Sequence, residues 1–256
     1  MKVFSCEHEW EAMLSCIYEA WTSGLGQENI RLELEPLGQQ ELFTEYEHVD
    51  ADCEKFQKVA DAIKVKISQY VYSELAYTAM ACEADVLDNI YRVLILGFHF
   101  GKSVLDMIQY HAVMRNREIR VRLGNEACRF KEIVRFHDVG NNLLVAHVEP
   151  KSRIIASLAV DFSDRMPSEN WIIVDDIHNE AVVHPMNQPF YIRKLSDTQK
   201  EQLLVSEELN DQYTDLWQVF FESIAIKERN NRKLQMNHMP LWSRTHVVEF
   251  QKSSSQ

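Results

Sequence analysis

The chain has 256 residues, 46 % of them apolar, with twelve Phe, nine Tyr and five Trp; it is long enough to bury a substantial core and too apolar for a disordered chain. Only seven glycines and six prolines argue against a turn-rich all-β fold. A net charge of −12 opposes contact with nucleic acid at first sight, because attraction to phosphate is the largest sequence-independent term in such complexes.

The elements follow from hydrophobic period and from punctuation by Gly, Pro and capping residues. Lys2 to Cys6 alternates weakly and reads as a short strand. Trp10, Met13, Leu14, Ile17, Tyr18 and Trp21 recur at three- and four-residue spacing, which predicts an amphipathic helix over Glu9 to Trp21, ended by Gly24 and Gly26. Ile30 to Leu34 alternates as a half-buried strand, and Leu37 to Asp50 is irregular and polar. Asp52 is a candidate N-cap for one long helix to about Ala81 carrying Phe56, Val59, Ile63, Ile67 and Val71 on one face.

Ala84 to Phe98 and Val104 to Met114 predict further helices, and 115–127 continues helically, with Arg115, Arg122 and Arg129 seven apart. The period then changes. Phe130 to His137 and Leu143 to Glu149 flank Asp138-Val139-Gly140-Asn141-Asn142 as a hairpin. Ile154 to Phe162 reads as a helix after Pro150. Trp171 to Asp175, Ala181 to Val183 and Phe190 to Ile192 read as short strands. Ser196 to Leu204 and Glu208 to Arg229 return to helix, with Ser196 and Gln199 spaced as a capping box.

Strands in the middle and helices at both ends predict an α+β fold: a central antiparallel sheet with helices from the N-terminal and C-terminal parts packed around it. The expected organisation is one domain over 1–252 with two lobes, a helical lobe (1–127) and a lobe of sheet plus C-terminal helices (128–252). A disordered tail is expected over 253–256.

Cys6, Cys16, Cys53, Cys82 and Cys128 are odd in number and never form a CxxC pair. They predict reduced thiols, mostly small buried hydrophobes, rather than a disulfide framework or a zinc site. No signal peptide is read at Met1 to Phe4, and the longest apolar segment, Val93 to Phe98, is far below spanning length. A soluble cytoplasmic protein without membrane contact is the expectation.

The distribution of charge says more than its sum. Residues 1–110 carry 8 basic and 19 acidic side chains; 115–135 carry 7 basic and 3 acidic, and 227–246 carry 5 and 1. Two basic islands therefore stand in an acidic chain. If folding joins them, a local positive surface exists despite the global sign; alternatively, both islands pair with the surplus carboxylates.

Several signatures of chemistry are missing. There is no GxxxxGK[ST] loop, GxGxxG turn, HExxH helix, GxSxG elbow or closely spaced cysteine set. His147-Val148-Glu149 is an HxE without the PCxxC that a zinc deaminase needs. No cofactor and no metal are expected. Asp175-Asp176 with His178 follows a strand, but adjacent strand residues point to opposite faces, so a polar turn is the simpler reading. Asp161 and Asp164 near Arg165 read as a helix-end salt bridge. His99, His111 and the stripe Trp217, Phe220, Phe221 read as core.

The first island offers Arg122, Asn125, Arg129 and Arg135 at a helix-to-strand junction. The second offers Arg229, Asn231, Gln235, Trp242 and Arg244. Arginine supplies a planar fork for phosphate or base edges, the amides supply paired donors and acceptors, and a Trp can stack on an unpaired base. The same residues can instead brace the junction and pack the core. Glu126 and Asp164, set among arginines, are the candidate catalytic carboxylates, since an acid held between cations stays ionised and can orient water.

Short pieces in order along nearly the whole chain carry a family resemblance. They are Ile17-Tyr18-Glu19-Ala20-Trp21, Asn29-Ile30-Arg31-Leu32, Ile90-Tyr91-Arg92 to Gly101, Asn125-Glu126, Arg129-Phe130 and Arg135-Phe136. Asp164-Arg165, Trp171-Ile172, Glu228-Arg229, Met239-Pro240 and Glu249-Phe250 follow. Together they resemble a bacterial family of uncharacterised proteins of DNA metabolism and DNA repair. That family is encoded beside a radical-SAM protein assigned to DNA modification or repair, and a related domain is fused to uracil-DNA glycosylases. The chain departs from the family pattern at Asp161, where His is usual, and at Trp242, where Arg is common. It also departs at Lys131-Glu132, in place of a Gly, and at Ala12. The resemblance implies a pathway and a partner without a mechanism. The expected function is a non-catalytic DNA-repair accessory protein that holds DNA, single-stranded or damaged, for a radical-SAM partner. The alternative is a DNA-processing enzyme of nuclease or glycosylase type.

Overall fold

The computed structural model describes residues 1–39, 41–196, 217, 220, 223 and 231–250. Most residues of the helices expected over Ser196 to Leu204 and Glu208 to Arg229, Arg229 itself and the tail 253–256 lie outside the described residues. The fold is mixed α/β, with seven α-helices and two sheets among the described residues. The chain divides into two compact units, Met1–Leu123 and Gly124–Gln256.

The first unit is built on a three-stranded sheet of β1 (Lys2–Cys6), β2 (Ile30–Leu34) and β3 (Glu45–His48), in the order β2-β1-β3. Both pairings are parallel. Central β1 is paired on both edges, and Val3, Phe4 and Cys6 are buried, as a near-continuous apolar run in a covered strand should be. α1 (Trp10–Thr22) makes the crossover from β1 to β2 and buries Met13, Leu14 and Ile17. The segment read as irregular contains β3, whose short polar pattern gives no period-2 signal.

The long helix expected from Asp52 is two helices. Asp52 caps α2 (Cys53–Lys66), its carboxylate accepting from the Glu54 and Lys55 N–H groups. Ile67 leaves helical geometry, and the Ser68 hydroxyl then accepts from Val71 N–H to start α3 (Gln69–Thr78). α4 (Val86–Phe100) ends at Gly101 with φ 69°. A 3-10 turn, Gly101–Asp106, precedes the 23-residue α5 (His111–Ile133), which begins in the first unit and ends in the second. The strand expected from Phe130 is helix as far as Ile133. Leu123, Ala127, Phe130 and Ile133 extend the buried stripe of Ile119 at helical spacing.

The second unit carries a five-stranded sheet in sequence order: β4 (His137–Asp138), β5 (Leu143–Val148), β6 (Asn170–Asp175), β7 (Glu180–His184) and β8 (Tyr191–Lys194). It is mixed, which corrects the single antiparallel sheet expected from sequence. Hairpins make β4-β5, β6-β7 and β7-β8 antiparallel. β5 and β6 run parallel, because α6 (Ile155–Arg165) lies between them and returns the chain to its starting end. The β4-β5 turn uses Gly140, Asn141 and Asn142, all at positive φ. On one face Val145, Val174 and Ala181 form a core with Ile172 and Leu143. Trp171 is fully buried and stacks on His184 at 4.7 Å with 4° between planes, with Phe136 and Phe162 edge-on to it.

Some readings of single residues are overturned. Cys6 and Cys16 are buried, but Cys53, Cys82 and Cys128 are exposed, and all five are free thiols. His99 and His111 lie at the surface. Trp217 and Phe220 are 41 % and 49 % exposed rather than core. Helical spacing identifies a stripe without identifying what covers it. No helix among the described residues is long and apolar enough to cross a membrane.

Candidate functional site

The two basic islands meet in the second unit around the segment after the C-terminal helix. Asn231 caps α7 (Arg232–His238), its side chain accepting from Leu234 N–H at 3.0 Å. At the other end of α7, Arg129 Nε donates to the His238 carbonyl at 3.1 Å, and Arg244 Nε donates to the Met239 carbonyl at 2.8 Å. Two arginines more than a hundred residues apart thus hold consecutive carbonyls, the acceptors a helix C-terminus leaves open. The chain then turns at Pro240 into a 3-10 turn, Leu241–Ser243.

That turn presents Trp242 half-buried. Its ring lies 6.0 Å from Phe130, with the Arg129 guanidinium 5.8 Å and the Lys151 ammonium 4.8 Å from its centroid. Both distances are within cation–π range. Lys151 is placed by Glu126: one oxygen of this buried carboxylate accepts from Lys151 N–H at 2.7 Å and Ser152 N–H at 3.3 Å. Glu126 is therefore a positioning residue for the loop after β5.

Several of the other cations are held in ion pairs. Arg115 pairs with Asp85, Arg120 with Glu74, Arg122 with Glu83 at 3.9 Å, Arg153 with Glu180 and Arg165 with Asp161. Arg135 donates through Nε and Nη2 to Glu249 Oε1 at 3.2 and 2.7 Å. Among the described residues, Arg129, Lys151 and Arg244 form no ion pair. Arg244 is the most constrained of the three, with its guanidinium 4.4 Å from the Phe250 centroid and Nη2 buried.

The other candidates are placed as follows. Asn125 is exposed on α5 and Gln235 half-buried on α7. Arg122 belongs to the first unit, with its Glu83 partner. Asp164 is exposed on α6, and Arg165 reaches Asp161 instead. Arg229 lies outside the described residues. The structure thus brings Arg129, Trp242 and Arg244 together, with Arg135 tied to Glu249 in the same unit. It spends Glu126 and Asn231 on backbone amides.

A second cluster lies beside Trp242, and no sequence motif announces it. The apolar face of β5 and β6 ends in two polar groups, His147 and Asp176. His147 Nδ1 hydrogen-bonds Asp176 Oδ2 at 2.9 Å, with the carboxylate accepting. The His147 side chain is fully buried, and Nε2 has no hydrogen-bond partner among the described residues. His246 Nε2 approaches Glu149 at 3.4 Å and Asp176 at 3.7 Å, and Thr245 donates to Glu149 at 2.9 Å. His147, His246, Trp242, Ser243 and Phe130 line a cavity of about 10 Å³, room for about one water. Asp175, by contrast, is consumed by its turn, accepting from the Ile177 and His178 N–H groups and the His178 ring. The HxE and the Asp175-Asp176 pair are both visible in the sequence. What joins them is the parallel β5-β6 register, which no local pattern reveals. No group of His, Cys, Asp and Glu suited to a metal ion occurs among the described residues.

Residues 84–249 match a family of unknown function, DUF4130. The chain belongs to the DUF4130 family. Both clusters fall inside the DUF4130 match, whereas β1 to β3 and α1 to α3 precede it. No curated protein matches the chain.

Proposed function

We propose that this DUF4130 protein binds DNA through the Trp242 surface of its second unit and serves as an accessory protein to a radical-SAM partner in DNA repair or metabolism. The observation that carries the binding half is the set of cations on Trp242. In a chain of net charge −12, Arg129 and Lys151 flank an aromatic ring without a carboxylate partner among the described residues. Cations hold phosphates and the ring takes an unpaired base, the combination used by single-strand binders. The partner half rests on the family resemblance.

Fluorescence anisotropy with labelled single-stranded and duplex DNA tests the binding half. The expected result is preference for the single strand and affinity that falls as salt rises. No binding, or binding indifferent to salt, contradicts it. Co-purification with a radical-SAM protein from the same genome tests the partner half; persistent failure of the two to associate, with and without DNA, counts against it.

The second reading, a DNA-processing enzyme, is favoured by His147. A buried imidazole oriented by a carboxylate, with its other nitrogen open beside a water-sized cavity, is equipped to take a proton from water. Glu126 and Asp164 are less suited to that role, the first bound to backbone amides and the second remote from the cluster. Lesion-bearing duplexes incubated with and without Mg²⁺ or Mn²⁺ decide it: this reading needs product that disappears in His147→Asn, and fails if wild type leaves every substrate intact.

A further inference from the structure

We propose that a groove in the first unit, outside the DNA-contacting residues, binds a free mononucleotide: a planar base carrying a phosphate. The groove is formed by the C-terminal ends of α1 and α4 and by α2 from its middle to its end. It is an open groove of about 320 Å³; small-molecule sites typically measure about 300–1,000 Å³. Its walls are Tyr18 and Trp21 from α1, Phe98 from α4, and Val59 and Ala62 from α2, with Lys58 and Lys66 also lining it.

The aromatic wall is pre-arranged. Trp21 meets Phe98 edge-on at 5.2 Å and packs, tilted, against Tyr91 at 6.2 Å, so its ring is held by neighbours. Phe98 remains 36 % exposed. Between the lysines stands Ala62, whose small side chain leaves floor for a flat ring. Lys58 and Lys66 are eight residues apart on α2, about 12 Å along the axis, so they bracket that floor.

Charge gives the ligand its sign. The first 110 residues carry 19 acidic and 8 basic side chains, and four of the eight cations have carboxylate partners: Lys2 with Glu45 and Glu47, Arg31 with Glu33, Lys55 with Glu19 at 2.8 Å, and Arg92 with Asp88. Lys58, one turn beyond Lys55, forms no ion pair among the described residues and sits 5.8 Å from the Tyr18 centroid. Lys66 forms none either. The helix dipole accounts for a lysine in the last turn, as at Lys66, but not for Lys58 in the middle of α2. No carboxylate lines the groove. Two ammonium groups without an ion pair among the described residues, lining a groove with an aromatic wall, match a dianionic phosphate joined to a ring better than a neutral or cationic ligand. Six of the seven lining residues precede residue 84, where the DUF4130 match begins, so this site is independent of the DNA-binding reading.

Isothermal titration of the full-length protein with dAMP, adenosine, inorganic phosphate and a 5′-phosphorylated oligo-dT tests the assignment. Saturable dAMP binding is expected, with adenosine and phosphate each at least tenfold weaker. Lys58→Ala/Lys66→Ala should weaken dAMP at least tenfold, as should Ala62→Phe, which fills the floor. Arg129→Gln/Lys151→Gln should bind dAMP as wild type does, which separates this site from the Trp242 surface. Absence of dAMP binding overturns the proposal, as does unchanged affinity in the lysine variant. Binding of the oligonucleotide alone overturns the free-nucleotide assignment. If Ala62→Phe fails to fold, the lysine variant, altered only at exposed positions, still decides between binding and its absence.

Discussion

Replacing Arg135 by alanine strips a carboxylate only 6 % exposed of its guanidinium. Two donors, Nε at 3.2 Å and Nη2 at 2.7 Å, converge on Glu249 Oε1, and hydrogen bonds to charged groups contribute about 1.5–3 kcal/mol each. Breaking a fully buried pair costs about 3–5 kcal/mol. Arg135 keeps 28 % exposure, so water can reach the site from its side, and a loss of about 2–3 kcal/mol at neutral pH is expected. The pH dependence is more diagnostic than the magnitude. Burial alone pushes the Glu249 carboxyl up, but the Arg135 hydrogen bond, helped by backbone N–H and the Trp217 indole, reverses this and holds it below the ordinary value. A depressed carboxyl stabilises the fold above its unfolded value of about 4.3 and loses that contribution as pH falls through the folded value. In Arg135→Ala, burial is opposed only by the backbone N–H and the Trp217 indole, so the carboxyl rises from its depressed position and the variant loses less stability than wild type as pH falls from 7 towards 5. Urea unfolding at both pH values should therefore show the cost of the substitution shrinking with acid. Glu249→Gln in the Arg135→Ala background should recover part of the loss. A cost unchanged between the two pH values, with no recovery in the double variant, refutes the pairing.

Trp171→Ala removes a fully buried indole from its stack on His184 and its edge contacts with Phe136 and Phe162. Thermal denaturation should register a loss of about 3–5 kcal/mol. Glu126→Ala frees the Lys151 and Ser152 amides and should cost about 2–3 kcal/mol in urea. Because Glu126 positions Lys151, the variant should also weaken DNA binding under conditions where it remains folded. Stability lost with DNA affinity intact would separate the two roles. His147→Asn should leave DNA affinity unchanged in anisotropy, since its side chain is fully buried.

Much of the local structure was legible because it is written at short range. β1 and β2 fall on the residues expected, α1 within one residue, and Gly140-Asn141-Asn142 announces its turn. The errors share a cause: competing signals of similar length. Ser68 was hidden inside a continuous apolar period, although its side chain caps the start of the next helix. Phe130 and Ile133 fit either period, and packing along α5 decides for helix. Strand direction is a property of connections, so α1 and α6, once recognised as crossovers, imply the parallel pairs that composition does not. For the candidate site, residue types picked out Arg129, Trp242 and Arg244 but were silent on which arginines already have carboxylate partners. Arg122 and Arg135 look the same as Arg129 in sequence; Glu83 and Glu249 distinguish them. The His147–Asp176 contact depends on β5-β6 register across 29 residues, beyond the reach of any motif.

The most direct test of the DNA-binding claim is the salt dependence of single-strand affinity in wild type and in Arg129→Gln/Lys151→Gln. Each phosphate neutralised contributes about −0.7 to the slope of log affinity against log salt for single strands, so two cations contribute about −1.4, a roughly sevenfold loss between about 50 and 200 mM salt. The double variant should bind more weakly at low salt and show a slope shallower by about that amount. If the variant binds with the same affinity and the same slope as wild type, the cations on Trp242 do not hold DNA.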